Sequence, residues 1–194
     1  MNTKVVVRKE THYKPHADFY QAASDQLKHI EDKAYEPYAS LLSVLLLSAF
    51  ALEAYLNFIG PTVEPGWDDF DKCPTLAKLR HICSVLGVAI DFGSSPFQSA
   101  SEVFKFRNKM AHPRDEEVVA EYEDRVGHFE KSFYEQPKPK WLAFATEDNA
   151  KRCHADIGKI IKVLNEKLPK PDPSPLNVGH WHGLAQIKAG ASAM

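Results

Sequence analysis

One segment, YASLLSVLLLSAFALEAYLNFIG at residues 38 to 60, constrains this chain more than any other. As a helix it would reach roughly 35 Å, enough to cross a bilayer. A helix apolar on nearly every side is also what the centre of a bundle, or a dimer seam, requires. Glu53 and Asn57 interrupt it, no Lys or Arg marks either edge, and no second segment resembles it. The flanking sequence is amphipathic and needs a central partner. The expectation is therefore a buried core helix in a soluble, cytoplasmic protein, with no membrane as partner.

The periodicity on either side fills in that bundle. From Pro15, a residue suited to a first helical turn, Phe19, Ala22, Ala23, Leu27 and Ile30 recur at three- and four-residue steps. Pro37 stands near the start of the long helix, and Gly60-Pro61 is expected to close it. After a turn-rich acidic stretch at 64 to 74, Leu76, Leu79, Ile82, Cys83 and Leu86 trace a shorter helix ended by Gly87. A fourth helix follows GSSP and carries Val103, Phe106 and Met110 on one face. Pro113 biases His112 away from helical dihedrals, so that helix should stop at 111 or 112. Beyond an acidic run at 115 to 135 and the break PKPK, a last helix is expected over 147 to 168, capped by Thr146. Its core face would carry Ala150, Cys153, Ile157, Ile160, Ile161 and Leu164. With little strand signal and no repeat or phosphate-loop glycine pattern, the sum is an all-α bundle of about five helices. It would span residues 15 to 168, between an N-terminal arm (1 to 14) and a Pro-rich, flexible C-terminal tail (169 to 194).

Composition excludes several classes of function. A net charge of −2 gives no global basic field, so any nucleic-acid surface has to be local. Three cysteines without a CxxC pair suit a reducing compartment better than a disulfide framework. The first fifteen residues lack the apolar core of a signal peptide.

The chemistry-bearing stretch is FKFRNKMAHPR, residues 104 to 114, where the fourth helix ends. Residues four apart share a helix face, so Asn108 and His112 are neighbours, and the long stem of Arg107 can swing over the same end. A histidine exchanges protons near neutrality, an arginine offers a planar fork that fits a phosphate, and an asparagine can orient an imidazole. Lys105, Lys109 and Arg114 add positive charge and are candidate substrate-binding residues, making this an anion-site pattern within an acidic protein. The alternative is plain capping: cationic side chains in a last turn complement the helix dipole, and a proline beyond is common. Glu53, on the apolar line of Leu46, Ala49 and Phe50, would be partly buried and needs a partner.

RNKMAH resembles the R-N-x-x-x-H form of the Arg-x4-6-His motif of HEPN-domain ribonucleases, and LSAFALEAYLNFIG is similar to the acidic-residue-bearing helix that precedes it there. The resemblance covers roughly residues 15 to 168. It implies a metal-independent endoribonuclease of toxin or phage-defence type, with no cofactor and no metal, acting at a composite site in a homodimer. Arg107, Asn108, His112 and Glu53 would be catalytic. His112 of one subunit would act as base and its mate as acid, the two Arg107 side chains would clamp the phosphate, and Asn108 would hold the imidazole. Glu53 would orient Arg107 or His112. RNA is the implied substrate, and an antitoxin or a nucleotidyltransferase the implied partner protein. The alternative is a non-catalytic HEPN-like dimeric module that binds a partner, a nucleotide or RNA.

Other features read more simply. His180 and His182 have no third metal ligand at a suitable spacing. Cys83 and Cys153 lie on apolar faces without an activating cluster. The acidic run suits a solvated helix face better than a binding surface for a basic partner. Trp67 and Trp141 fall in loops, where they could stack on bases or pack beneath the chain.

Overall fold

The computed structural model describes residues 6–8, 13–32, 37–70, 72–112, 115–119, 121, 138–178 and 186–188. Among the described residues six α-helices follow in order: α1 (Pro15–Glu31), α2 (Pro37–Val63), α3 (Thr75–Val85), α4 (Phe97–Ala111), α5 (Lys140–Ala143) and α6 (Glu147–Glu166). A 3-10 turn, Trp67–Phe70, links α2 to α3. The architecture is an all-α bundle. Its one β feature among the described residues is an antiparallel pair of three-residue strands, β1 (Val6–Arg8) with β2 (Gln186–Lys188), in which Val7 faces Ile187.

The apolar segment is the hub. Around α2 pack α1, α3, α4, α6 and the 3-10 turn, with α1 in broadest contact. Val44, Leu45, Leu52 and Leu56 are fully buried, and half of the helix's most apolar window lies inside the bundle. Ala17 and Ala23 of α1 are fully buried, small enough to bring that helix close. From α6, Ala150, Cys153, Ile157, Ile160, Ile161 and Leu164 all enter the core, the face that the periodicity marked. Thr146 caps this helix by accepting from the Asn149 amide at 3.3 Å.

Two expectations at helix ends meet different outcomes. Gly87, at φ 65°, follows α3, with the Val88 amide donating to Cys83 O at 2.8 Å, as a glycine-terminated helix does. Gly60-Pro61 does not close α2, which runs on to Val63, and the Glu64 amide donates to Gly60 O at 2.9 Å. The glycine serves another purpose: a Cβ there would overlap the indole of Trp67, so its absence is what lets the 3-10 turn fold onto α2.

Residues beyond α6 are fastened over the stretch 169–178. Asp172 pairs with Lys14, its backbone amide donates to Asn165 Oδ1 at 3.0 Å, and His16 Nε2 meets Pro175 O at 3.0 Å. Burial acts to raise the Asp172 pKa, but the Lys14 ammonium and the Ser174 amide hold it below the usual carboxylate value. Most of the acidic run (residues 122 to 135), Arg114, His180 and His182 lie outside the described residues.

Candidate functional site

The first half of α4 is anchored from behind by α6. Asp156 of α6, 2% exposed, accepts from Ser99 at 2.6 Å and Ser95 at 3.1 Å and pairs with Lys159 at 2.8 Å. Burial alone would raise its pKa, yet these donors hold it below the ordinary value. Arg152 of α6 reaches Ser99 at 2.7 Å and Glu102 at 2.7 Å. With Ala100, Val103, Phe104 and Phe106 buried beneath, α4 presents Lys105, Arg107 and Asn108 outward from a fixed backbone.

Glu53 of α2 meets this ridge. Arg107 Nη2 donates to Glu53 Oε2 at 3.0 Å, and Arg107 Nη1 donates to Asn108 Oδ1 at 3.2 Å. The guanidinium carbon lies 5.7 Å from the centre of the Phe50 ring, a third restraint. The second carboxylate oxygen of Glu53 accepts from Thr75 Oγ1 of α3 at 2.9 Å. One turn along, Lys78 donates to Asn57 at 2.9 Å, so α2 and α3 are joined by two successive polar rungs. Both members of the ion pair keep about a quarter of their side-chain surface, at 29% for Arg107 and 27% for Glu53.

These residues line one groove of about 400 Å³, walled by Glu53 and Thr75, by Lys72, Cys73 and Pro74 ahead of α3, and by Phe104, Lys105, Arg107 and Asn108. Lys72 is exposed, as is Lys105, and among the described residues neither has an ion-pair partner. The groove thus offers two open ammonium groups beside a guanidinium whose own charge is countered by Glu53.

Not every candidate joins it. His112 lies one turn beyond Asn108, exposed, and does not line the groove. Its φ of −130° and ψ of 59° take it out of the helix, and its amide donates to Asn108 O at 3.1 Å. Asn108 thus contacts His112 through its backbone carbonyl, while its side-chain oxygen accepts from Arg107. Lys109 turns to Glu116 at 3.2 Å, away from the groove. Thr75 and Lys72 were not legible as site residues. Thr75 is 22 positions from Glu53 and meets it only once α3 packs on α2.

A second polar centre lies inside the bundle. His154 of α6, 7% exposed, contacts Ser24 Oγ of α1 through Nε2 at 2.9 Å and Ser48 Oγ of α2 through Nδ1 at 3.2 Å. The Ser24 hydroxyl donates to Tyr20 O, so it accepts from Nε2–H, and the ring is neutral with Ser48 donating to Nδ1. Tyr20 stacks on the ring at 4.1 Å, and burial lowers the imidazole to about 4. Burial likewise pushes the Cys83 thiol up to about 11 and Cys153 up to about 12, which leaves both poor nucleophiles at neutral pH. Among the described residues no three His, Cys, Asp or Glu side chains converge to hold a metal ion.

No family model, no curated protein and no solved structure matches this chain.

Proposed function

We propose that the chain is a metal-independent endoribonuclease of toxin or phage-defence type, with a site completed by a second copy of itself. The observation that carries this reading is the Glu53–Arg107 pair at the edge of a groove flanked by Lys72 and Lys105, one helical turn from an exposed His112. A guanidinium has more N–H donors than its contacts with Glu53 and Asn108 use, and can still take a phosphate oxygen. One histidine can serve as either base or acid, whereas transesterification needs both at once. A two-fold axis near residue 112 would supply the pair. A neutral His112 would take the proton of a ribose 2′-hydroxyl as that oxygen attacks phosphorus. The P–O5′ bond breaks, and the leaving oxygen takes a proton from the partner's protonated His112. The products are a 2′,3′-cyclic phosphate and a 5′-hydroxyl end, with the charge at phosphorus stabilised by Arg107.

The test is cleavage of a mixed panel of labelled RNAs in EDTA. Wild type is expected to cut. His112→Ala should lower the rate by roughly a hundredfold or more, the scale of a lost acid–base group. Absence of cutting across the panel, with the protein folded and dimeric, would remove the enzyme reading.

One observation favours a second reading, a non-catalytic dimeric interaction or RNA-binding module. Arg107 is held at once by Glu53, Asn108 and the Phe50 face, as a purely structural tie would be. Under that reading Arg107→Ala changes stability or binding and there is no turnover to lose.

A further inference from the structure

Beside the groove lies a smaller pocket of about 270 Å³, formed by Glu102, Lys105 and Phe106 of α4 with Lys140, Trp141 and Phe144 of α5 and its end. Its character is different. Trp141 and Phe144 are half-buried, and the Phe144 ring sits 5.8 Å from that of Phe106, so the floor and one wall are aromatic. The polar groups stand at the rim. Glu102 is already engaged, by Arg152 at 2.7 Å and by Gln98 at 3.0 Å, which leaves the ammonium groups of Lys105 and Lys140 as the charges facing an entering ligand. Lys105 lines both this pocket and the Arg107 groove, so the two are adjacent compartments sharing one cationic residue. Trp67 makes a useful contrast. It is 5% exposed, pressed onto Gly60, and has Lys78 at 5.8 Å from its ring centre, so its face is closed to any ligand.

We infer that the Trp141 pocket receives a nucleobase of the RNA whose phosphates occupy the Arg107 groove, an inference that rests on the proposed reading of that groove. The volume falls below the usual range for whole small-molecule ligands and suits one planar ring system. A ligand with a planar ring spaced one short link from a negative charge is a nucleotide unit, and Lys105 stands where ring and charge would meet. Stacking on an indole is tolerant of base identity, because every base has a π-face. The pocket therefore selects unpaired RNA over duplex, where the bases are already stacked on each other.

The experiment compares two uncleavable oligomers of equal length by tryptophan fluorescence and calorimetry: 2′-O-methyl RNA and its abasic ribose-phosphate counterpart. Wild type should bind the base-bearing oligomer roughly ten- to a hundredfold more tightly, the range for one stacked base. Trp141→Ala should erase that difference, Trp141→Phe should retain most of it, and Lys105→Ala should weaken both oligomers. Circular dichroism checks the fold of each variant, and the Phe variant keeps the test decisive where Ala unfolds. Equal affinity of wild type for the two oligomers, or no affinity for either, overturns the inference. So does a Trp141-dependent affinity that is higher for an acidic aromatic peptide than for RNA. Failure of the groove reading looks different: RNA is never cut, while the Trp141-dependent preference for bases persists.

Discussion

Glu53 shows what a single residue can disclose. A carboxylate on an apolar helical line is costly without a partner, and that cost is visible in sequence before any partner is known. The partner set is Arg107 and Thr75, drawn from two other helices. With about three quarters of each side chain buried, removing the carboxylate charge leaves the Arg107 guanidinium under-compensated, and Glu53→Gln should cost about 1–3 kcal/mol in urea unfolding. If the proposed function holds, its larger effect should be on RNA cleavage, because the guanidinium would lose the anchor that aims it into the groove. His154 was not legible in the same way. Its two hydroxyl partners lie 130 and 106 positions away, so only the packed bundle brings them together. It carries a pH prediction. The folded value of about 4 lies below the unfolded imidazole's 6.5, so below pH 6.5 the unfolded state takes up a proton that the folded state refuses. Stability should fall as pH drops from 6.5 towards 4, by about 3 kcal/mol once the window is crossed. Urea titrations of His154→Gln across this range should show a flatter profile. Loss from Asp156 and Asp172, whose folded pKa values are depressed, sets in at lower pH as those carboxylates protonate.

At the scale of elements, the longer helices are readable and their ends less so. The four-residue α5 is not, so that Trp141 lies on a helix instead of in the expected loop. Period and capping located α1, α3, α4 and α6, because each is amphipathic and punctuated by Pro, Gly or Thr. The end of α2 was misplaced because Gly60-Pro61 has the appearance of a stop. In the structure, Trp67 lies where a Cβ at Gly60 would be, a long-range requirement that local reading cannot see. Gly60→Ala should therefore cost about 1–3 kcal/mol, the scale of an overpacked core, despite alanine's better helix propensity. Thermal unfolding of Gly60→Ala, Trp67→Leu and the double variant checks this. The two costs should be less than additive if the clash is their link. The groove is itself an element-scale product, since Glu53, Thr75 and Arg107 stand on α2, α3 and α4, and none of the three helices alone makes a site.

For the whole molecule, the all-α class followed from the long apolar segment and the amphipathic helices that need it. The hub arrangement follows physically, since a helix apolar all round is satisfied only when neighbours surround it. The proposed function needs a larger assembly than one chain. A single copy supplies one groove, one Arg107 and one exposed His112 at a helix end, while the proposed chemistry requires two histidines across one phosphate. The arrangement of two copies around residue 112 is thus the quantity on which the account turns. Spin labels at residue 112, in His112→Cys with Cys73→Ser, report it directly by dipolar spectroscopy, since Cys83 and Cys153 are buried. The account predicts a dimer with a narrow inter-label distance of about two helix diameters, ~20 Å. A monomer, or labels separated by the full width of two bundles, would contradict it.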